Sequence, residues 1–295
     1  MRHPVLTFVC CTLLLPAGLQ AQDEPAEPAA AEATGDEGGE PMAPPFKILP
    51  GPVDGALGEF ATIQVPEGYG FVPKSEMPAL NAATQNLDNP SDLGAILGDK
   101  FIVFFSWDDI GYVKDDEKDE LDAKELLENF QQGQLEANKV REQQGFPPLF
   151  IDGWQTPPYY DQQTNNLTWA TKLRSGDAEG FTVNHNVRLL GRRGVMSATL
   201  VGAPEGMADA IVALNGMLGH YTYNEGQRYS EFSQGDKLAA VGLSALVLGG
   251  GAALAAKTGL LGQLGKFIKV IVLGVVGAAA AVGKWFKSKF GRSQS

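Results

Sequence analysis

Hydrophobic and polar positions along the chain change period several times, and each change predicts an element. Residues 60–65 and 69–72 are short β-branched and aromatic runs on either side of Pro66-Glu67-Gly68, which predicts two strands around a turn. Residues 101–107 (FIVFFSW) are almost continuously apolar, the pattern of a strand buried on both faces. The longest helix is expected over residues 122–144. Asp122 and Glu125 have capping-box spacing, Leu126, Leu127, Phe130 and Ala137 form a narrow apolar stripe, and Gly145 before Pro147 ends it. Its other positions are Glu, Gln, Asn and Lys, so that face is expected to be solvated.

Two more strands follow, 149–154 and 167–173, flanking an aromatic, proline-containing connection with a turn at Asn165-Asn166. A hairpin of residues 181–190 and 195–201 turns at Gly191-Arg192-Arg193-Gly194. Met207, Ala210, Ile211, Leu214, Met217 and Leu218 then recur at helical spacing. This order of elements specifies an α+β fold: a mostly antiparallel sheet, a long crossover helix and a closing helix.

Outside that domain the pattern differs. Residues 1–21 carry Arg2 and His3, an eleven-residue apolar run and a small-residue end, the layout of a secretory signal peptide. Residues 22–45 hold seven acids, no base and one apolar side chain larger than Ala, so they form an acidic tether that cannot bury a core. Residues 46–236 are the α+β domain. Residues 238–256 (LAAVGLSALVLGGGAALAA) are nineteen positions without a charge, long enough for a transmembrane helix. Residues 257–295 form a basic tail with a second, fourteen-residue apolar run, 270–283, that is short for a span and suits an interfacial or snorkelling segment.

Charge sharpens this division. The formal net charge of −12 over 295 residues combines 35 acids, all between Gln22 and Asp236 beside 14 bases, with a segment from Lys237 onward that has eight bases and no acid. Such an acidic domain excludes a nucleic-acid binder. The basic flanks favour a cytoplasmic tail next to anionic lipid, and hence a bacterial inner-membrane protein whose domain lies on the periplasmic or extracytoplasmic side. The two cysteines, Cys10 and Cys11, leave with a cleaved leader, which removes thiol chemistry from the mature chain.

Candidate chemistry is sparse. Gly251 to Thr258 imitates a phosphate-binding loop, but Ala256 stands where a glycine is needed before Lys257, so no nucleotide is expected. The acidic group of Asp115, Asp116, Glu117, Asp119, Glu120 and Asp122 lacks the spacing of a calcium loop and suits the start of a helix, where the dipole favours acids. His185 shares a strand face with Val183 and Val187 and reads as a core histidine, whereas His220 suits a helix C-terminus. Trp154, Tyr159 and Tyr160, with Trp169, could build an aromatic platform for a glycan or an extended peptide, and Arg192 and Arg193 are expected at an exposed hairpin tip facing anionic lipid or an acidic partner. No catalytic, metal or cofactor-binding residue is expected. The competing reading is an envelope hydrolase that uses His185 with Asp108, Asp109 or the acidic group.

Several spaced stretches carry a resemblance: GYVKDD (residues 111–116), GFPPL (145–149), GWQTPPYYD (153–161), LTWA (167–170), VRLLGRRGV (187–195), NEGQRYSEF (224–232) and the segment 237–261. On these the chain resembles the bacterial family known as domain of unknown function 2167, predicted membrane-anchored proteins. The resemblance implies location and architecture and carries no site residues. A looser likeness of element order is to the PsbP type of sandwich. Together these readings lead to a membrane-anchored envelope protein, a non-enzymatic binding or assembly module without cofactor, whose partners are the bilayer and an envelope protein or glycan.

Overall fold

The computed structural model describes residues 44–176 and 180–248. The expected leader 1–21, the tether 22–45 except its last two residues, positions 249–256 of the long apolar run, and the basic tail 257–295 with its second run 270–283 lie outside the described residues.

In chain order the elements are β1 (Leu49–Pro50), β2 (Val53–Leu57), β3 (Ala61–Val65), β4 (Gly70–Pro73), α1 (Met77–Ala83), β5 (Asp92–Leu97), β6 (Phe101–Asp108), α2 (Ala123–Gln143), β7 (Leu149–Asp161), β8 (Asn166–Ser175), β9 (Thr182–Leu190), β10 (Val195–Gly202), α3 (Met207–Leu218), β11 (Tyr221–Tyr223) and α4 (Leu243–Val247). Eight strands form one sheet in the order β1-β4-β5-β6-β10-β9-β8-β7, and β11-β3-β2 form a smaller one. Every pairing between these strands is antiparallel. This is the expected α+β class with a large antiparallel sheet.

Strand alternation divides the core into two layers. On β6, Phe101, Val103, Phe105 and Trp107 join the cluster beneath the small sheet and α3, while Ile102 and Phe104 point the other way and pack with α1. On the same second face, Leu167 and Trp169 of β8 meet Leu126 of α2 and Leu243 and Leu246 of α4. Burying rings such as Trp169, Phe104 and Phe105 contributes roughly 1.5–3 kcal/mol each by transfer from water. The large sheet is therefore covered on both sides, by the small sheet and α3 on its first face and by α1, α2 and α4 on its second.

Helix α2 begins where the sequence predicts. Asp122 Oδ1 accepts hydrogen bonds from the backbone N–H of Lys124 at 2.9 Å and of Glu125 at 3.0 Å, an N-cap for two otherwise orphaned donors. The expected solvated face of this helix is corrected, however. Gln131, Gln134, Asn138 and Arg141 form a polar stripe turned inward, with Gln134 and Arg141 only 1% and 2% exposed. The reason is the unpaired edge of β7: Gln131 Nε2 donates to the Ile151 carbonyl at 2.8 Å, Asn138 Nδ2 donates to the Leu149 carbonyl at 2.8 Å, and the Leu149 N–H donates back to Asn138 Oδ1 at 2.9 Å. The helix supplies the hydrogen bonds that a further strand would otherwise supply.

Strand β7 is also longer than predicted. It runs from Leu149 through Asp161, and Pro157 and Pro158, expected in a connection, lie inside it. An edge strand tolerates proline because one side of its backbone needs no ladder partner, and β7 absorbs the pair with register shifts between Trp154 and Tyr159.

The start of the long apolar run is described as far as Leu248. Residues 238–248, the first part of the run expected to cross a membrane, pack onto the domain. Leu243, Leu246 and Val247 are 0%, 1% and 1% exposed, beside Val113, Leu190 and Val195. Helix α4 in that run covers five residues, and no helix among the described residues is long and apolar enough to cross a membrane. Part of the apolarity that suggested a span is spent inside the domain core.

Candidate functional site

Where the roof formed by α3 and β11 ends, an open cleft of about 740 Å³ lies over the first face of the large sheet. Thr168 of β8 and His185, Val187 and Leu189 of β9 form its floor. Ile211, Asn215 and Leu218 of α3 and the β11 tyrosines form one wall, Tyr229 and Arg228 close one end, and Tyr159, Asp161 and Asn165 line the rim. Period-two alternation places Thr168, Ala170, His185 and Leu200 on one face, because Ala170 and Leu200 are the cross-strand neighbours of His185. The rim is built by the tight β7–β8 turn: Asn165 has φ 53°, and Asp161 accepts from the Gln163 N–H at 2.8 Å and from Thr164 Oγ1 at 2.9 Å. On the opposite wall, the Tyr223 hydroxyl donates to the Leu189 carbonyl at 2.8 Å, which fixes β11 over β9.

His185 was expected in the core, and it is 6% exposed with its Nδ1 lacking a hydrogen-bond partner. Burial holds its pKa down at about 4, so the imidazole is neutral at physiological pH. The Asn166 Oδ1 in the same cleft lining is likewise buried and unpartnered. Such groups cost about 1–3 kcal/mol each when desolvated without a partner, a cost that a ligand bringing hydrogen bonds would relieve.

The acid required for a His185-based hydrolase is placed elsewhere. Asp108 pairs in register with Val195, which belongs to the second-face core, so its carboxyl lies across the sheet from His185. Burial raises the Asp108 pKa, and the positive charge of Arg188 on that second face opposes the rise. Arg188 itself is buried with its guanidinium 4.9 Å from the Trp169 ring centroid. Asp109 lies beyond the end of β6, where its carbonyl accepts from Lys237 Nζ at 2.9 Å.

The remaining expected site residues are dispersed. Tyr159 and Tyr160 are neighbours on β7 and so face opposite ways. Tyr159 stands half exposed on the cleft rim, while Tyr160 packs on the second face and donates to Asn165 Oδ1 at 3.3 Å. Trp154 donates from Nε1 to the Ala123 carbonyl at 2.8 Å and lies parallel to Phe130, and Trp169 is buried beneath Arg188. The four rings therefore do not form one platform. Arg193 is exposed, but Arg192 is bound to Asp236 and is not a free cation.

The acidic group serves the fold at separate points: Asp122 caps α2, and the Glu117 carboxylate lies against Gly242 just before α4. Burial raises the pKa of both Tyr160 and Tyr229, and the nearby Asp115 raises them further, for Tyr229 after the neighbouring Tyr112 phenol. Sequence reading missed Asn215, Tyr221, Tyr223 and Tyr229 as cleft residues. Thr168 and His185, polar positions within otherwise apolar strand faces, were the available signal.

Apart from residues 145–149, the stretches that carry the family resemblance contribute to the core around the C-terminal segment. The Tyr112 ring is stacked on Tyr229 (centroids 4.4 Å apart, planes at 14°) and also meets Phe232 at 4.2 Å. The Gly111 backbone presses against Lys237 and Leu238 at φ +95°, where a side chain would find neither the conformation nor the space. Residues 50–280 match the family described as "Protein of unknown function (DUF2167)". The chain belongs to this DUF2167 family. No curated protein matches it. Among solved structures, the DUF2167 chain is similar to the solution structure of cyanobacterial PsbP (CyanoP) from Synechocystis sp. PCC 6803, at 10% identity and a TM-score of 0.34, covering 58% of this chain and 90% of that one.

Proposed function

We propose that this DUF2167 protein is a membrane-anchored, extracytoplasmic envelope protein of the bacterial inner membrane that acts as a non-enzymatic binding or assembly module, with the cleft over β8 and β9 as its recognition surface. The observation that carries the binding role is the pair of buried, unpartnered polar atoms, His185 Nδ1 and Asn166 Oδ1, lining one open cleft. Membrane attachment is supported by the leader-like residues 1–21 and by the apolar, base-flanked sequence after Leu248. Because residues 238–248 are docked on the domain, the bilayer-embedded part belongs downstream of them, and the domain sits close to the membrane surface.

In-cell photocrosslinking tests the recognition surface. A photoreactive residue in place of Tyr159 or Asn215 should give a specific adduct that a residue in place of Val212, exposed on the outer side of α3, does not. Equal adducts from all three positions, or none from the cleft pair, would remove the cleft from the reading. Protease added outside spheroplasts should digest the domain, and protection there would overturn the topology.

A further inference from the structure

The cleft contains two kinds of recognition group, and its one cation among the described residues is already paired. Asp161 and Arg228 are the charged residues in its lining. Asp161 is occupied by the turn it closes, and Arg228 Nη1 is held by Glu231 Oε1 at 3.0 Å. The lining therefore offers no unpaired cation to a phosphate or a carboxylate, and the Asp161 carboxylate, still ionised, repels both. Around them stand uncharged hydrogen-bonding groups, with His185 Nδ1 and Asn166 Oδ1 buried and unpartnered and Thr168 on the floor between. Aromatic surface is the second kind: the Tyr159 ring is 50% exposed at the rim, and Tyr221, Tyr223 and Tyr229 line the same cleft. Phenol rings give flat apolar faces with a polar edge.

We infer that the cleft binds a neutral saccharide, whose hydroxyls satisfy His185 and Asn166 and whose C–H face stacks on Tyr159. This rests on the reading of the cleft as the recognition surface and adds the chemical class of its ligand. A sugar ring is the complement of such a lining, since it alternates hydroxyls and apolar C–H faces and carries no charge. A purely apolar ligand would leave the two buried polar atoms unpaired, and an anion would meet no free cation.

The experiment uses the full chain in bilayer nanodiscs and two defined probes, an N-acetylglucosamine tetrasaccharide and a linear glucose heptasaccharide, with an anionic hyaluronan oligomer as control. Calorimetry and saturation-transfer NMR should detect binding of at least one neutral probe and no tighter binding of the anionic one. Tyr159→Ala, at an exposed ring whose loss leaves the core intact, should raise Kd by about tenfold. His185→Leu should also weaken binding while preserving the circular dichroism spectrum, and if that variant fails to fold, Tyr159→Ala decides alone. Failure of both neutral probes, tighter binding of hyaluronan, or affinity indifferent to Tyr159→Ala would overturn the saccharide assignment. If cleft crosslinks to a specific partner persist in that case, the recognition surface stands and only the ligand class falls. If the crosslinks are absent too, both fall.

Discussion

Arg192, in the β9–β10 hairpin, grips Asp236 with two hydrogen bonds, Nε at 2.7 Å from Oδ2 and Nη2 at 2.9 Å from Oδ1. A bidentate pair of this kind fixes orientation as well as distance. It closes the segment after β11 onto the sheet, so that the Tyr112 N–H donates to the Lys237 carbonyl at 2.8 Å and the Ala239 N–H to the Tyr112 carbonyl at 2.8 Å. The hairpin expected to present two free arginines instead uses one of them as a latch for the chain leading into α4.

Replacing this latch should loosen the C-terminal segment without unfolding the sheet. In Arg192→Ala, hydrogen exchange at the amides of Tyr112 and Ala239 is expected to accelerate, while the amides of β9 and β10 keep their protection. The Arg192 guanidinium holds the Asp236 pKa below its usual 3.8, so the pair's contribution is present above that value and is lost as pH falls through the lowered one. Unchanged exchange at Ala239 would show that the apolar contacts of α4 suffice alone.

Those contacts carry their own prediction. Leu243 is fully buried among Val113, Leu126 and Leu190. Leu243→Ala should therefore destabilise the domain by about 2–5 kcal/mol, the range for truncating a core leucine. A bilayer-embedded Leu243 would leave the urea midpoint of the domain where it is. Urea titration followed by the near-ultraviolet signal of the domain's tryptophans separates the two cases.

The elements legible in the sequence are those whose local pattern and tertiary role agree. Residues 101–107 form a central strand because every position but Ser106 is apolar enough for either face, and α2 starts at Asp122 because the cap is a local hydrogen bond. What escaped depends on neighbours far along the chain. Gln131, Gln134 and Asn138 look like a wet helix face, yet Gln131 and Asn138 bond the free edge of β7 and Gln134 donates to Asn138 Oδ1 behind it. The VDGAL and DLGAIL strands, β2 and β5, contain glycines and acids that weaken any strand pattern, and their pairing is what orders them. The cleft was illegible for the same reason: its residues come from β7, β8, β9, α3 and β11, which only the folded sheet assembles. Once the connection after Trp154 is a strand, adjacent Tyr159 and Tyr160 must separate, because the pleat sends neighbours to opposite faces.

The amide stripe of α2 can be tested through Asn138. Its side chain both donates to the Leu149 carbonyl and accepts from the Leu149 N–H, so Asn138→Ala strands two backbone groups at the start of β7. A loss of about 2 kcal/mol is expected from two net hydrogen bonds of roughly 1 kcal/mol each. Faster hydrogen exchange at Leu149 should accompany it. Neutral stability together with an unaltered Leu149 amide would mean that the helix does not guard this edge.

The buried imidazole of His185 makes stability pH-dependent in a definite direction. In the unfolded chain this group takes up a proton near its ordinary pKa of 6.5, whereas burial holds the folded value at about 4. Between those two values the unfolded state binds the proton and the native state does not, so this group's contribution to stability falls as pH is lowered through the window and levels off below it. The shift corresponds to about 3 kcal/mol at full extent. Carboxylates also titrate near the lower end, so the difference between the native chain and His185→Gln, a neutral side chain that cannot take up this proton, isolates the term. Urea midpoints measured across the window should fall more steeply for the native chain than for His185→Gln. Parallel slopes would mean that the imidazole accepts a proton in the folded state as readily as in the unfolded one, and would contradict its desolvated position on the cleft floor.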